Sequence, residues 1–228
     1  MSASPAGHPD TWVVVPVYNE ATVLGEVVRG LRERFDHVVC VDDGSTDDSA
    51  QVAREAGARV LVHPVNLGQG AALQTGIEYA VAQPAMAYLV TFDADGQHQV
   101  DDAEAMVEVA RTGGFGAVFG SRFLDARNEA GLFKRLVLRV AAWFTRQSTG
   151  MRLTDAHNGL RVLRRDAAEQ VHLHQDGMAH ASEIVLHVAR THLPWTEYGV
   201  HVLYTEYSRG KGQSTLNAVN ILVDLFIK

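Results

Sequence analysis

The first half of the chain alternates short, continuous apolar runs with longer amphipathic segments, and no other feature constrains its fold so strongly. Thr11–Val17, His37–Val41, Arg59–His63, Met86–Phe92 and Ala117–Ser121 read as strands. Ala21–Phe35, Thr46–Ala56, Gly68–Ala82 and Val100–Thr112 between them read as helices. A strand that is apolar throughout must be covered on both faces, and parallel neighbours need crossovers of helix length. The pattern predicts a mostly parallel, Rossmann-like α/β sheet flanked by helices. Ligands of such sheets bind beyond the carboxyl ends of the strands.

Those strand ends are chemically unusual. The first run ends in Pro16-Val17-Tyr18-Asn19-Glu20 and the second in Val41-Asp42-Asp43-Gly44-Ser45-Thr46-Asp47. The fourth ends in Asp93-Ala94-Asp95-Gly96-Gln97-His98 and the fifth in Gly120-Ser121-Arg122. Turn and helix-cap chemistry explains any one of them, because Ser, Thr and Asp are common in both. It does not explain four on one edge. Asp93 and Asp95 are spaced i, i+2, so an extended strand end can aim both carboxylates around one point. Hard cations such as Mg²⁺ or Mn²⁺ take oxygen ligands and bridge carboxylates to a diphosphate.

The second half is less regular. Leu132–Gln147 reads as an amphipathic helix with Lys134, Arg135, Arg139 and Arg146 on a basic side. Thr154–Arg161 reads as a polar loop, Ala179–His192 as a helix, Trp195–Tyr204 as a strand and Tyr207–Gln213 as a Gly-rich basic loop. Thr215–Lys228 carries an apolar stripe at helical spacing, suited to core packing, a dimer contact, a membrane surface or a small membrane-protein partner. The expected division is a flexible 1–10, a nucleotide-binding 11–122, an acceptor-binding 123–214 and a C-terminal amphipathic helix over 215–228, all within a single domain.

Composition removes several function classes. A net charge of -7 disfavours broad binding to nucleic acid. The single cysteine, Cys40, lies in an apolar run and reads as a buried thiol, which fits a cytoplasmic setting. Residues 1–10 lack the pattern of a signal peptide, and no stretch has the ~20 apolar residues of a membrane span. Work at a membrane is therefore expected from its inner surface. The eleven histidines do not make a zinc site, since His172-x-His174 lacks further ligands at suitable spacing. Gly68-x-Gly70 lacks the third glycine of a dinucleotide fingerprint.

Taken in order, the strand-end motifs, Asn66-Leu67-Gly68-Gln69-Gly70, Gly120-Ser121-Arg122-Phe123, Thr154-Asp155 with Asn158-Gly159-Leu160-Arg161, and Tyr207-Ser208-Arg209-Gly210-Lys211 resemble the family-2 glycosyltransferases. Within that family the chain is most similar to the dolichyl-phosphate mannose synthase and polyprenyl-phosphate sugar synthase branch, from about Trp12 to Thr215. The resemblance implies a GT-A fold. It implies nucleotide contacts at Pro16, Tyr18, Glu20, Asp42, Asp43, Ala94 and Gln97, with Arg209 and Lys211. It implies Mg²⁺ or Mn²⁺ on Asp93, Asp95 and Gln97, and phosphate contacts at Arg122, Arg135 and Arg139. One position departs: the mannose synthases carry a lysine six residues after the arginine matching Arg209, where this chain has Thr215.

The implied reaction moves a hexose, with inversion, from a nucleotide-diphosphate sugar such as GDP-mannose, UDP-glucose or UDP-GlcNAc to a polyprenyl monophosphate. Asp93, Asp95, Arg122 and Arg135 are its candidate catalytic groups. A phosphate acceptor is already anionic and needs cations rather than a base. A saccharide hydroxyl would need a base, for which Asp155 and Glu183 are the available carboxylates. Two further readings are a nucleotide-sugar-binding subunit without turnover and a sugar nucleotidyltransferase. The latter usually has a Gly-rich basic loop where this chain has Tyr18-Asn19-Glu20.

Overall fold

A computed structural model describes residues 7–125, 149–174 and 180–203. The described strands are β1 (Thr11–Val17), β2 (His37–Asp42), β3 (Arg59–Val62), β4 (Tyr88–Thr91), β5 (Ala117–Ser121), β6 (Arg161–Arg164) and β7 (Trp195–Gly199). The described helices are α1 (Ala21–Arg34), α2 (Ser49–Glu55), α3 (Gln69–Val81), α4 (Val100–Gly113), α5 (Arg165–Ala168) and α6 (His180–Thr191). The seven strands form one sheet in the order β3-β2-β1-β4-β6-β5-β7. All neighbours are parallel except β6, which runs antiparallel between β4 and β5.

The apolar runs divide their side chains between two cores, as strand alternation requires. Val13, Val15 and Val17 of β1 pack with Leu24, Val28 and Leu31 of α1 and with Met106 and Val107 of α4. Trp12 and Val14 face the opposite layer, with Leu73 and Ile77 of α3 and Ile184 and Val185 of α6. Gly76 lets α3 lie close on β1: a Cβ there would stand 2.2 Å from Val14 Cγ1. Cys40 is buried, and burial together with the charge of Asp42 pushes its thiol up to about 12.

The mostly parallel α/β sheet agrees with the sequence reading, and three details correct it. Arg161–Arg164 is a central strand, where the sequence suggested the end of a polar loop. Its four residues are too few to show a period, and its identity comes from pairing on both sides. The second helix starts at Ser49 instead of Thr46, because Ser45–Asp47 bond the Asn19–Ala21 loop and Asp48 is the helix N-cap. The last described strand stops at Gly199 instead of continuing to Tyr204. The basic helix expected over 132–147 and the segment 215–228 lie outside the described residues.

Candidate active site

Residues after β1 and β2 are stitched together. Asp43 N–H donates to Val17 O at 2.8 Å, Asn19 N–H to Ser45 Oγ at 2.9 Å and Glu20 N–H to Ser49 Oγ at 2.8 Å. Asn19 Oδ1 accepts from Thr46 N–H at 2.8 Å, and Asp47 Oδ2 from the first helical N–H, that of Ala21, at 3.1 Å. Asn19 turns the chain with φ 56, a conformation asparagine tolerates. The loop displays Tyr18, which is 45% exposed, while Pro16 lies inside β1.

The two aspartates that end this second run have different surroundings. Asp43 accepts from Leu67 N–H at 2.9 Å, Gly68 N–H at 2.7 Å and the His63 ring at 2.7 Å, and His63 reaches Thr75 Oγ1 at 2.9 Å. Its carboxylate thus braces the loop between β3 and α3. Asp42 is buried, and its Oδ1 has no hydrogen-bond partner among the described residues. A buried acceptor without a donor is costly, so this atom suits an incoming N–H.

Asp93 and Asp95 follow β4 directly. Asp93 Oδ2 lies 2.9 Å from His98 Nε2, and Oδ1 accepts from Gln69 Nε2 at 3.3 Å. Burial would raise this carboxyl; the hydrogen bond and charge of His98, with Arg161 and His180 beyond, more than reverse that and lower it. Asp95 has less support. Its Oδ1 accepts from Gln97 N–H at 3.0 Å, yet burial and then the neighbouring Asp93 charge push it up to about 6. Gln97 is buried and its Nε2 lacks a partner among the described residues. Two neighbouring carboxylates, one of them under-compensated, and a side-chain amide fit a hard divalent cation. Among the described residues no group of three or more His, Cys, Asp or Glu side chains forms a protein-only cage. A cation held there would need further oxygens from a ligand or water.

Arg122, after β5, is gripped by Asp155. Its Nε and Nη2 donate to the two carboxylate oxygens at 2.6 and 2.8 Å, and its backbone N–H adds a third bond at 3.1 Å. Burial pushes the Asp155 carboxyl up, but the charge and hydrogen bonds of Arg122 outweigh it and hold the group below the usual range. Glu197 of β7 receives Thr154 N–H at 2.7 Å and Asp155 N–H at 3.2 Å, fixing this segment from the other side. Glu183 accepts from His174 N–H at 3.0 Å and lies 4.0 Å from His187. Arg135, Arg139, Arg209 and Lys211 lie outside the described residues.

Arg161 has no assigned role in the sequence reading. It is 1% exposed, and its Nη2 donates to Ala156 O at 3.3 Å. Burial lowers its affinity for a proton to a pKa of about 10, while Asp93 and Asp155 both pull it back up. The guanidinium is therefore a fixed positive charge shared between Asp93 and Asp155. An arginine inside the apolar run Leu160-Arg161-Val162-Leu163 was the available signal. His157 stands in the same cluster, and burial lowers it to about 4, so it is neutral at ordinary pH.

Acidic and basic strand ends thus share one edge of the sheet, and the comparisons give the class of the chain. The family model described as Glycosyl transferase family 2 matches residues 12–171, so the chain belongs to that family and is a glycosyltransferase. Among its relatives, an uncharacterized protein of Methanocaldococcus jannaschii is 34% identical, over 96% of this chain and 92% of that one. A UDP-N-acetylglucosamine--dolichyl-phosphate N-acetylglucosaminyltransferase of Methanococcus voltae is 26% identical, over 95% of this chain and 94% of that one. The crystal structure of glucosyl-3-phosphoglycerate synthase from Mycobacterium tuberculosis, in complex with Mn²⁺, UDP-glucose and phosphoglyceric acid, aligns with a TM-score of 0.68. It covers 96% of this chain and 80% of that one at 19% identity, and it shows the shared GT-A fold.

Proposed function

We propose that this glycosyltransferase moves a hexose from a nucleotide-diphosphate sugar to a polyprenyl monophosphate, with inversion and with Mg²⁺ or Mn²⁺. The carrying observation is the pairing of two neighbouring carboxylates, Asp93 and an under-compensated Asp95, with an arginine clamped by buried Asp155 on the same sheet edge. The name of the Methanococcus voltae relative supports a dolichyl-type acceptor, and the mycobacterial complex supports a cation beside a nucleotide.

Asp93, Asp95 and Gln97 would hold the cation, which supplies charge neutralisation for the departing diphosphate. The chain's own groups do the rest. Asp42 Oδ1, at the end of β2, accepts an N–H of the base, beside Pro16 near the end of β1 and the following loop that carries Tyr18 and Glu20. Asp43 acts on the nucleotide through the 63–68 loop it braces. Ala94, buried between the two carboxylates, keeps their spacing. Arg122 receives the acceptor phosphate, its fork held by Asp155 so that little side-chain freedom is lost on binding. Arg135 and Arg139 are proposed to add to that phosphate site, and Arg209 and Lys211 to the diphosphate site.

A phosphate acceptor needs no general base, and the surroundings of Asp155 favour this reading over a saccharide hydroxyl. Both its oxygens are engaged by Arg122, which makes it a poor proton acceptor. No helix among the described residues is long and apolar enough to cross a membrane. We propose peripheral contact with the inner membrane face, through 215–228 or through a small membrane-protein partner or second copy.

The test is incubation with radiolabelled GDP- and UDP-sugars, undecaprenyl phosphate and Mn²⁺. Label passing into the organic phase, and lost in Asp93→Asn and Arg122→Met, is the expected result. Transfer only to a water-soluble saccharide would replace the lipid reading. Failure of every donor with either acceptor would favour a subunit without turnover.

A further inference from the structure

The space in which Asp93 lies exists because residue 159 has no side chain. A Cβ on Gly159 would stand 2.1 Å from Asp93 Oδ2 and 2.6 Å from its Cγ and Oδ1. Gly159 does not have a left-handed backbone conformation, so the missing Cβ is needed for room rather than for φ. The glycine is itself held in place. Thr91, the last residue of β4, donates its hydroxyl to Gly159 O at 2.6 Å, and Leu160 N–H donates to Asn158 Oδ1 at 2.9 Å. The carboxylate, whose side chain is 31% exposed, is also held by His98 and Gln69, with the Arg161 guanidinium two residues along the same segment.

We propose that Gly159 is a positioning residue for the cation site. The backbone of segment 158–161 forms the seat of Asp93, and any side chain at 159 re-aims that carboxylate. This inference rests on the proposed metal-dependent reaction. It has a direct physical consequence. When a Cβ is added, the strained atoms belong to the tip of one aspartate rather than to backbone. That tip yields first, so the sheet survives while the ligand direction changes. The rest of the segment is unaffected, because the Arg122–Asp155 clamp lies four residues earlier.

The experiment measures Mn²⁺ binding to the full chain by electron paramagnetic resonance of the free ion, with UDP or GDP present and nucleotide alone as the blank, alongside circular dichroism. Wild type binds, and Gly159→Ala keeps its spectrum but binds at least tenfold more weakly, approaching Asp93→Ala. Thr91→Val, which frees the Gly159 carbonyl without adding bulk at 159, weakens Mn²⁺ three- to tenfold. It gives an independent answer if Gly159→Ala does not fold. Wild type and folded variants agreeing within twofold would overturn the role of Gly159 and leave the proposed function standing. A wild-type chain that binds no Mn²⁺ beyond the nucleotide blank would overturn the metal-dependent reading, and this inference with it.

Discussion

Asp95→Asn should stabilise the metal-free protein while abolishing transfer. In the fold the Asp95 carboxyl moves from 3.8 to about 6, chiefly through burial and then through the charge of Asp93. At 1.36 kcal/mol per tenfold change in proton affinity, that corresponds to about 3 kcal/mol against the ionised form at neutral pH. Partial solvation and adjustment of the bond from Gln97 N–H reduce the expected gain to about 1–2 kcal/mol. The sign fixes the pH window. A raised folded pKa favours folding fully below the unfolded value, and that contribution is lost as pH rises through about 6. The variant's advantage is therefore near zero at pH 4, grows between pH 4 and 6, and levels off above. Urea unfolding of both proteins at pH 4, 5, 6 and 7.5, in a chelator, measures it. Adding Mn²⁺ at pH 7.5 should then stabilise the wild type and not the variant, by mass action on the folded state. A pH-independent difference, or a variant less stable at pH 7.5, would refute the claim that Asp95 is held ionised at a cost.

Three further outcomes follow from packing and charge. Arg122→Met strands the buried Asp155 carboxylate and should cost about 3–5 kcal/mol, with Arg122→Met/Asp155→Asn recovering part of it in a double-mutant cycle by thermal unfolding. Gly76→Ala forces a Cβ to 2.2 Å from Val14 Cγ1, so overpacking of about 1–3 kcal/mol should outweigh the ~1 kcal/mol gain in helix propensity. Asp43→Asn weakens the bonds from Leu67 N–H and Gly68 N–H; it should cost about 2–3 kcal/mol and speed hydrogen exchange at those two amides relative to β2.

The regular half of the sheet was legible because its strands are apolar on both faces and its helices are long enough to show a period. β6 was not, because Arg161-Val162-Leu163-Arg164 acquires its strand character from two neighbours distant in sequence. The candidate site divides in the same way. Asp93, Asp95 and Arg122 stand at strand ends and could be read directly. The roles of Gly159 and Arg161 depend on where a loop 68 residues after Thr91 returns, which local pattern does not encode. The two aspartates Asp42 and Asp43 look equivalent in sequence. Only the placement of the 63–68 loop separates a bracing carboxylate from one with an unsatisfied oxygen.

The reversed strand at the sheet's centre also governs assembly. β4 and β5 never touch as ladder partners; Arg161–Arg164 fills the gap between them. A ribosome that has released only the first 122 residues has thus made two hydrogen-bonding edges whose shared partner is still unsynthesised. Such a fragment would have to close the slot wrongly or leave it open to another chain. The first 122 residues are therefore contiguous in sequence but should not mature alone, and the edge that carries Asp93 and Arg122 can be completed only once the returning strand has threaded home.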